Sequence, residues 1–93
     1  MNITVVGLRR MPSRTQLRAR FNVRFNSDPG TGLTVYSFRL MRSPNGNYWL
    51  AVPARKEKTG TWEKLVTLSP DLFQAVLEAA IETYRGRLGD ADI

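Results

Sequence analysis

Arginine is the residue type whose chemistry most clearly indicates a function for this chain, and the arginines are unevenly distributed along it. Six arginines lie within the first 27 positions, where no aspartate or glutamate occurs: Arg9, Arg10, Arg14, Arg18, Arg20 and Arg24. A guanidinium group stays charged at physiological pH and presents its donors in a fixed plane that matches phosphate oxygens. The segment is therefore predicted to contact a polyanion.

Three of these arginines share one side of a predicted strand. Residues 17–25, LRARFNVRF, alternate apolar and polar side chains without a break, as a half-buried strand requires. One face is predicted to be core, and the other carries Arg18, Arg20 and Arg24 over roughly 20 Å, at about 3.3 Å per residue. That length could meet several phosphates of a nucleic-acid backbone.

A second basic group lies in a predicted hairpin tip between Pro53 and Gly60. Arg55, Lys56 and Lys58 are long cationic side chains at a loop, where they could reach phosphates with little desolvation cost. Glu57 offsets one of these charges, and the alternative interpretation is a solvated turn. We interpret the cluster as part of the binding site because basic residues grouped on one surface are typical of nucleic-acid contacts.

The overall charge follows the same asymmetry. The net charge is +6, and the acidic excess is confined to the segment from Pro70 onward. An anionic ligand should therefore meet the strand-rich part of the chain rather than its C-terminal end. The alternative is that scattered arginines keep a small sheet soluble and protect its edges.

Several function classes are poorly supported by the composition. The chain has no cysteine and no histidine, and its acids form no close pair in the strand region. We therefore predict a non-enzymatic protein with no metal, cofactor or small-molecule substrate. No stretch is long and apolar enough to cross a membrane, and no signal-like run is present, so a cytoplasmic location is expected. At 93 residues the chain is one small domain that would gain buried area from a homodimer.

The elements that must position these residues are five strands followed by one helix. The predicted strands cover residues 2–8, 17–25, 33–42, 47–52 and 62–68, and Asn45-Gly46 marks a hairpin between the third and fourth. In the third strand, one apolar face is predicted to hold Thr34, Tyr36, Phe38 and Leu40. Ser69 caps a helix expected to end near Arg85, with 89–93 as a frayed tail. The fold class is α+β, with an about five-stranded, mainly antiparallel sheet covered on one face by the C-terminal helix.

The two tryptophans and one further arginine have more than one interpretation. Trp49 could stack on an unpaired base or cover a dimer interface, and we favour packing or an interface for both Trp49 and Trp62. Arg39 is expected inside a strand, with an ion pair to Glu63.

The order of several fragments resembles the SpoVG family, the stage V sporulation or septation proteins. The fragments are ITVVGLRR, LRARFNVRF, FRL, NGNYWLAVPARK and the helix from Pro70. The most specific part is the strand followed by Pro-Ala-Arg-Lys and then Gly60.

This resemblance implies a small bacterial-type α+β domain that dimerises through its sheet and binds DNA and RNA as a regulator. It implies phosphate or base contacts for Arg55 and Lys56, with Arg9 and Arg10 as neighbours, and on this basis Arg55 and Lys56 are predicted to form the main nucleic-acid contact. The chain departs from the family pattern in a longer loop from Ser27 to Gly32, and in Asp71 and Gln74, where relatives often carry basic residues. Helix-mediated contacts are therefore not expected. The alternative function is a protein-interaction module that uses sheet edges and exposed aromatic residues.

Overall fold

Six strands and one helix follow one another along the chain. The computed structural model describes residues 1–12, 14–27 and 30–92, apart from the side chains of Thr31 and of residues 87–92. Its elements are β1 (Asn2–Arg10), β2 (Leu17–Ser27), β3 (Thr31–Arg42), β4 (Tyr48–Ala51), β5 (Ala54–Lys56), β6 (Trp62–Lys64) and α1 (Pro70–Asp92). The α+β prediction is confirmed.

The strands form two sheets rather than one. β1 to β4 make an antiparallel sheet in sequence order, and β5 pairs with β6 in a separate hairpin. Pro53 has no N–H to donate to a ladder, so the chain leaves the sheet edge there. The predicted fifth strand is correspondingly short, because it pairs only with β5 and ends at Lys64.

The core lies between the four-stranded sheet and α1. In β2 the predicted alternation is confirmed, with Ala19, Phe21, Val23 and Phe25 all buried. The helix contributes Val76, Ala80 and Tyr84, which recur every four residues and so share one face. One face of the sheet is thus covered by the helix, and the opposite face, called here the open face, is not.

The start of α1 follows the prediction and its end does not. The Ser69 hydroxyl accepts a hydrogen bond from the backbone N–H of Leu72 at 3.4 Å, as an N-cap should. The helix then continues past Gly86 to Asp92 rather than ending near Arg85. A glycine inside a helix costs only about 1 kcal/mol relative to alanine, so Gly86 need not end it. Residues 89–92 of the expected tail lie in this last part of the helix, and Ile93 lies outside the described residues.

Two bulges flank Asn22 in the middle of the sheet. β1 has one extra residue between Val6 and Arg9, with Gly7 at φ 64°, and β3 has one near Ser37, at φ 74°. The Asn22 Oδ1 accepts a hydrogen bond from the Ser37 backbone N–H at 3.2 Å. This bond supports the left-handed backbone at Ser37, which L-residues other than asparagine and aspartate rarely adopt.

The bulge in β3 overturns the predicted face of that strand. Phe38 is fully buried, whereas Tyr36 is 65% exposed. The inserted residue shifts the alternation, so that Val35, not Tyr36, packs against the core. Thr34 lies opposite Arg24. The predicted common face of Thr34, Tyr36, Phe38 and Leu40 therefore holds only for Phe38 and Leu40.

Candidate functional site

Three arginines line up across three neighbouring strands on the open face. Arg9 of β1 lies opposite Arg20 of β2, and Arg20 lies opposite Arg39 of β3. Each is adjacent in sequence to a buried apolar residue, respectively Leu8, Phe21 and Phe38, and so points to the other side of the sheet. We call Arg9, Arg20 and Arg39 the arginine row.

The row is electrostatically unfavourable for the folded protein. Like charges directly opposite on paired strands repel, and neighbouring strands are about 4.8 Å apart. Within the described part of the chain, no carboxylate lies within ion-pair distance of the three guanidinium groups. Three positive charges in register without a carboxylate partner give this part of the open face a positive potential.

The three arginines of the row line a cleft of about 800 Å³. Asn22 and Ser37, at the two bulges, also line this cleft, and Trp62 closes it from the hairpin side. The Arg39 Cζ lies 5.9 Å from the centre of the Trp62 ring, within the range of a cation–π contact. The bulges therefore position the cleft next to an aromatic ring.

Arg39 corrects one expectation, and Trp62 narrows another. Trp62 is 62% exposed and is not part of the core of this chain, so it does not pack in that core, and the interface that we favour as the other alternative stays a prediction. Arg39 was expected to pair with Glu63, but it contacts Trp62, and Glu63 pairs with Arg55. Arg39 is the site residue that the sequence analysis missed. The signal was present, because Arg39 lies between Phe38 and Leu40 and must face away from them.

The strand arginines of the prediction divide between different places. Arg9 and Arg20 belong to the row, and Arg24 lies further along the same strand, where its Nε donates a hydrogen bond to Asn26 Oδ1 at 3.0 Å. Arg10 lies opposite Ala19 on the helix side, with its Cζ 5.9 Å from the centre of the Tyr84 ring. The structure therefore separates Arg10 from the open face.

Arg18 lies at the end of the sheet rather than with the row. Its Nη1 donates a hydrogen bond to the Thr15 backbone carbonyl at 2.6 Å. With Arg14 and Arg42, it lines a second cleft of about 390 Å³ between the β1–β2 loop and the β3–β4 turn. The pairing register shifts beside Arg18, which explains why simple alternation did not predict this position.

Arg55 of the β5–β6 hairpin forms ion pairs with two glutamates. The Arg55 Nη2 lies 3.3 Å from Glu63 Oε1, and its Nε lies 3.7 Å from Glu57 Oε1. A hydrogen bond with the Glu63 carboxyl group, and secondarily desolvation, raises the pKa of Glu57 above its usual value. Lys56 and Lys58 are not fixed in this way, although both lie on the same hairpin.

No model of a known family matches the chain, and no curated protein matches it. The resemblance to the SpoVG family therefore stays a prediction.

Among the described residues, no helix has the length and apolar character needed to cross a membrane, and no group of three or more potential metal-ligating residues is found.

Removing the central charge of the row should stabilise the fold. Arg20 has a like charge opposite it on both sides, so Arg20→Gln should raise the free energy of unfolding by about 0.5 to 1 kcal/mol at low salt. For a chain of this size that is a rise in Tm of about 2 to 8 °C, and the rise should shrink as salt screens the charges.

The matched control for this prediction is Arg85→Gln, which removes one arginine from the helix. Arg85 lies over the Tyr48 ring at 5.7 Å and has no place in the row. Its substitution should not raise Tm. A lower Tm for Arg20→Gln in thermal unfolding would contradict this prediction. It would show that repulsion within the row does not destabilise the folded protein.

Proposed function

We propose that this protein binds nucleic acid on the open face of its four-stranded sheet and acts without catalysis, as a cytoplasmic regulator. The observation that carries the proposal is the arginine row, three guanidinium groups in register across β1, β2 and β3. Because their mutual repulsion weakens the folded protein, a bound polyanion is the natural compensation. Phosphate contacts supply most of the affinity of proteins for nucleic acids.

The two basic regions take different parts in this proposal. The open face supplies the main contact through the row, with Arg24 further along β2. Lys56 and Lys58 add weaker contacts from the hairpin, since Arg55 already has two carboxylate partners. This reverses the weight that the SpoVG resemblance gives to Arg55 and Lys56, while the general function that it implies, DNA and RNA binding, stays the same.

The experiment that tests the proposal is a titration of DNA and RNA oligomers at several salt concentrations. Each phosphate contact releases counterions, so log K should fall against log salt with a slope of about −0.7 to −0.9 per phosphate. Because each of the three arginines is assigned one phosphate, we expect a slope of about −2 or steeper. A flat response, or no binding at low salt, would remove nucleic acid as the ligand.

A second candidate function is a protein-interaction module, and the edge of β3 favours it. β4 pairs only with residues 39–42 of β3. In the part of the chain that the structure describes, no strand pairs with that edge over residues 31–36, where Leu33 is 62% and Tyr36 65% exposed. Unpaired backbone groups beside exposed apolar side chains form a template for another strand.

We assign this edge to a second copy of the chain. Antiparallel pairing of the two β3 edges around a two-fold axis normal to the sheet would leave both helices on one side. Both arginine rows would then lie on the other side, in one continuous surface. The homodimer predicted from the chain length is thereby joined to nucleic-acid binding, because two rows on one ligand bind more tightly than either alone.

Sedimentation at micromolar concentration should give twice the chain mass of 10.6 kDa. Replacing Leu33 and Tyr36 together by lysine should give the monomer mass, since like charges across the pairing repel and both side chains are already exposed in the monomer. A monomeric wild type contradicts the dimer, and a dimeric double variant places the interface elsewhere.

A further inference from the structure

A third cleft adjoins the cleft lined by the arginine row, called here the arginine cleft, and its lining is mainly apolar. It has a volume of about 430 Å³ and lies between the β4 edge and the segment that leads to α1. Its apolar lining comes from Trp49, Val52, Val66, Leu68 and Phe73. Arg39, Ala54 and Trp62 line both clefts, so the two share a wall.

Trp62 is the aromatic residue that lines both clefts. Its ring is largely exposed, and the guanidinium group of Arg39 lies near it at 5.9 Å. Trp49 is also partly exposed, at 42%, and lies opposite Met41 in the neighbouring strand. Exposed aromatic rings beside a cationic cleft are the arrangement on which nucleic-acid bases stack.

A ligand that fills both clefts must join an anionic group to an apolar group, and a flat apolar ring can in addition stack on Trp62. A nucleotide has this chemistry, since its phosphate suits the row and its base suits Trp62. In a duplex, however, the flat faces of the bases are covered by their neighbours, and only the base edges reach the grooves. Stacking on Trp62 therefore requires an unpaired base.

The shape of the open face also disfavours a duplex. The major groove is about 12 Å wide and admits a helix or a two-stranded ribbon, whereas four strands at about 4.8 Å spacing are broader. The β5–β6 hairpin is such a ribbon, but the two carboxylates beside Arg55 would repel phosphate. The positive surface is therefore the broad one, where a flexible strand can lie.

On the basis of the function proposed above, we propose that the ligand is single-stranded nucleic acid, with an unpaired base stacked on Trp62 and the adjoining phosphates on the arginine row. The structure thus assigns two tasks to neighbouring residues. The row provides salt-dependent affinity, and Trp62 provides affinity that depends on the base and not on salt. The two contributions can be measured separately.

The test compares three ligands of equal length: a single-stranded oligothymidylate of about 12 nucleotides, its abasic analogue and a duplex. The wild-type protein should bind the oligothymidylate most tightly. The abasic strand keeps the phosphates but lacks the bases, so it should bind about 5- to 150-fold more weakly, the range expected for one stacked base. Its salt slope should match that of the oligothymidylate.

The matching protein variant is Trp62→Leu, which keeps an apolar side chain but removes the aromatic ring. It should lose the same 5- to 150-fold for the oligothymidylate, with an unchanged salt slope, and Trp62→Phe should recover most of the loss. It should not change binding of the abasic strand. The control is Leu65→Ala, which removes an exposed apolar side chain close in sequence that lines neither cleft, and which should bind like the wild type.

The outcomes separate the two proposals. Salt-dependent binding in which the duplex binds as tightly as the single strand, or in which the abasic strand binds like the oligothymidylate, overturns this inference and leaves nucleic-acid binding intact. Absence of salt-dependent binding to all three ligands overturns both. The abasic comparison uses the wild-type protein, so it decides the matter even if Trp62→Leu fails to fold.

Discussion

Replacing all three arginines of the row by glutamine should reduce affinity for a DNA or RNA oligomer by about 100-fold at about 0.1 M salt. Each lost phosphate contact removes a counterion-release contribution worth about fivefold under that condition, and three contacts multiply. The variant should remain folded, because Arg9 and Arg20 are exposed and the substitutions relieve repulsion between neighbouring strands. Affinity is measured by titration, and folding by thermal unfolding of the same preparation.

The control for this variant removes three positive charges from the hairpin instead. Arg55, Lys56 and Lys58 are replaced by glutamine, which lowers the net charge by the same amount. We expect a loss below about 10-fold, since Arg55 already has carboxylate partners. A larger loss from the hairpin variant than from the row variant would return the main contact to Arg55 and Lys56, as the family resemblance implies.

The second large effect concerns the bulge in β3. Phe38 is fully buried, and its ring is stacked on that of Phe21 at 5.7 Å between centres. Phe38→Ala should therefore lower the free energy of unfolding by about 3 to 5 kcal/mol, from lost burial and the cavity left behind. Whole domains are stable by only about 5 to 15 kcal/mol, so this variant should be marginal.

Tyr36→Ala is the matched aromatic truncation, two residues earlier in the same strand. If apolar and polar residues alternated without a break, the two substitutions would lower the free energy of unfolding by similar amounts. Because the bulge leaves Tyr36 exposed, Tyr36→Ala should lower it by only about 0.5 kcal/mol. Both are measured by urea unfolding in a Leu33→Lys background, at a protein concentration where sedimentation gives the monomer mass, so that pairing between copies does not contribute. Equal costs for the two variants would contradict the bulged register.

Much of the fold could be predicted from local patterns. The alternation in β2 predicted its buried face, Asn45-Gly46 predicted the β3–β4 hairpin, and Ser69-Pro70 predicted the start of the helix. In each case the deciding interaction is either close in the chain or repeated with a fixed period. Such features can be seen in a single sequence without knowledge of the tertiary contacts.

The features that shape the site depend on contacts between distant residues. The bulge near Ser37 is supported by a hydrogen bond to Asn22, fifteen residues earlier in the chain. The residues next to Ser37 in the sequence do not indicate a bulge. The alignment of the row likewise depends on the register of three strands, which the bulges adjust. The sequence therefore predicted that Arg20 faces away from the core, but not that Arg9 and Arg39 lie opposite it.

The separation of the hairpin from the main sheet also escaped prediction. Residues 62–68 have the composition of a strand, yet only Trp62–Lys64 pair, and they pair with β5. Leu65 is instead tied back by its backbone N–H, which donates a hydrogen bond to the Pro53 carbonyl at 2.9 Å. This bond closes the base of the hairpin beside the sheet edge, the position from which Trp62 reaches the arginine cleft.

The most direct test of the central claim is the salt dependence of binding for the wild type and for the row variant, measured with the same oligomer. Because each arginine of the row is assigned a phosphate, the slope of log K against log salt should become shallower by about 2 to 3 when all three are replaced. The hairpin variant should keep a slope closer to that of the wild type. An unchanged slope in the row variant would show that Arg9, Arg20 and Arg39 do not contact phosphate, and would contradict the account.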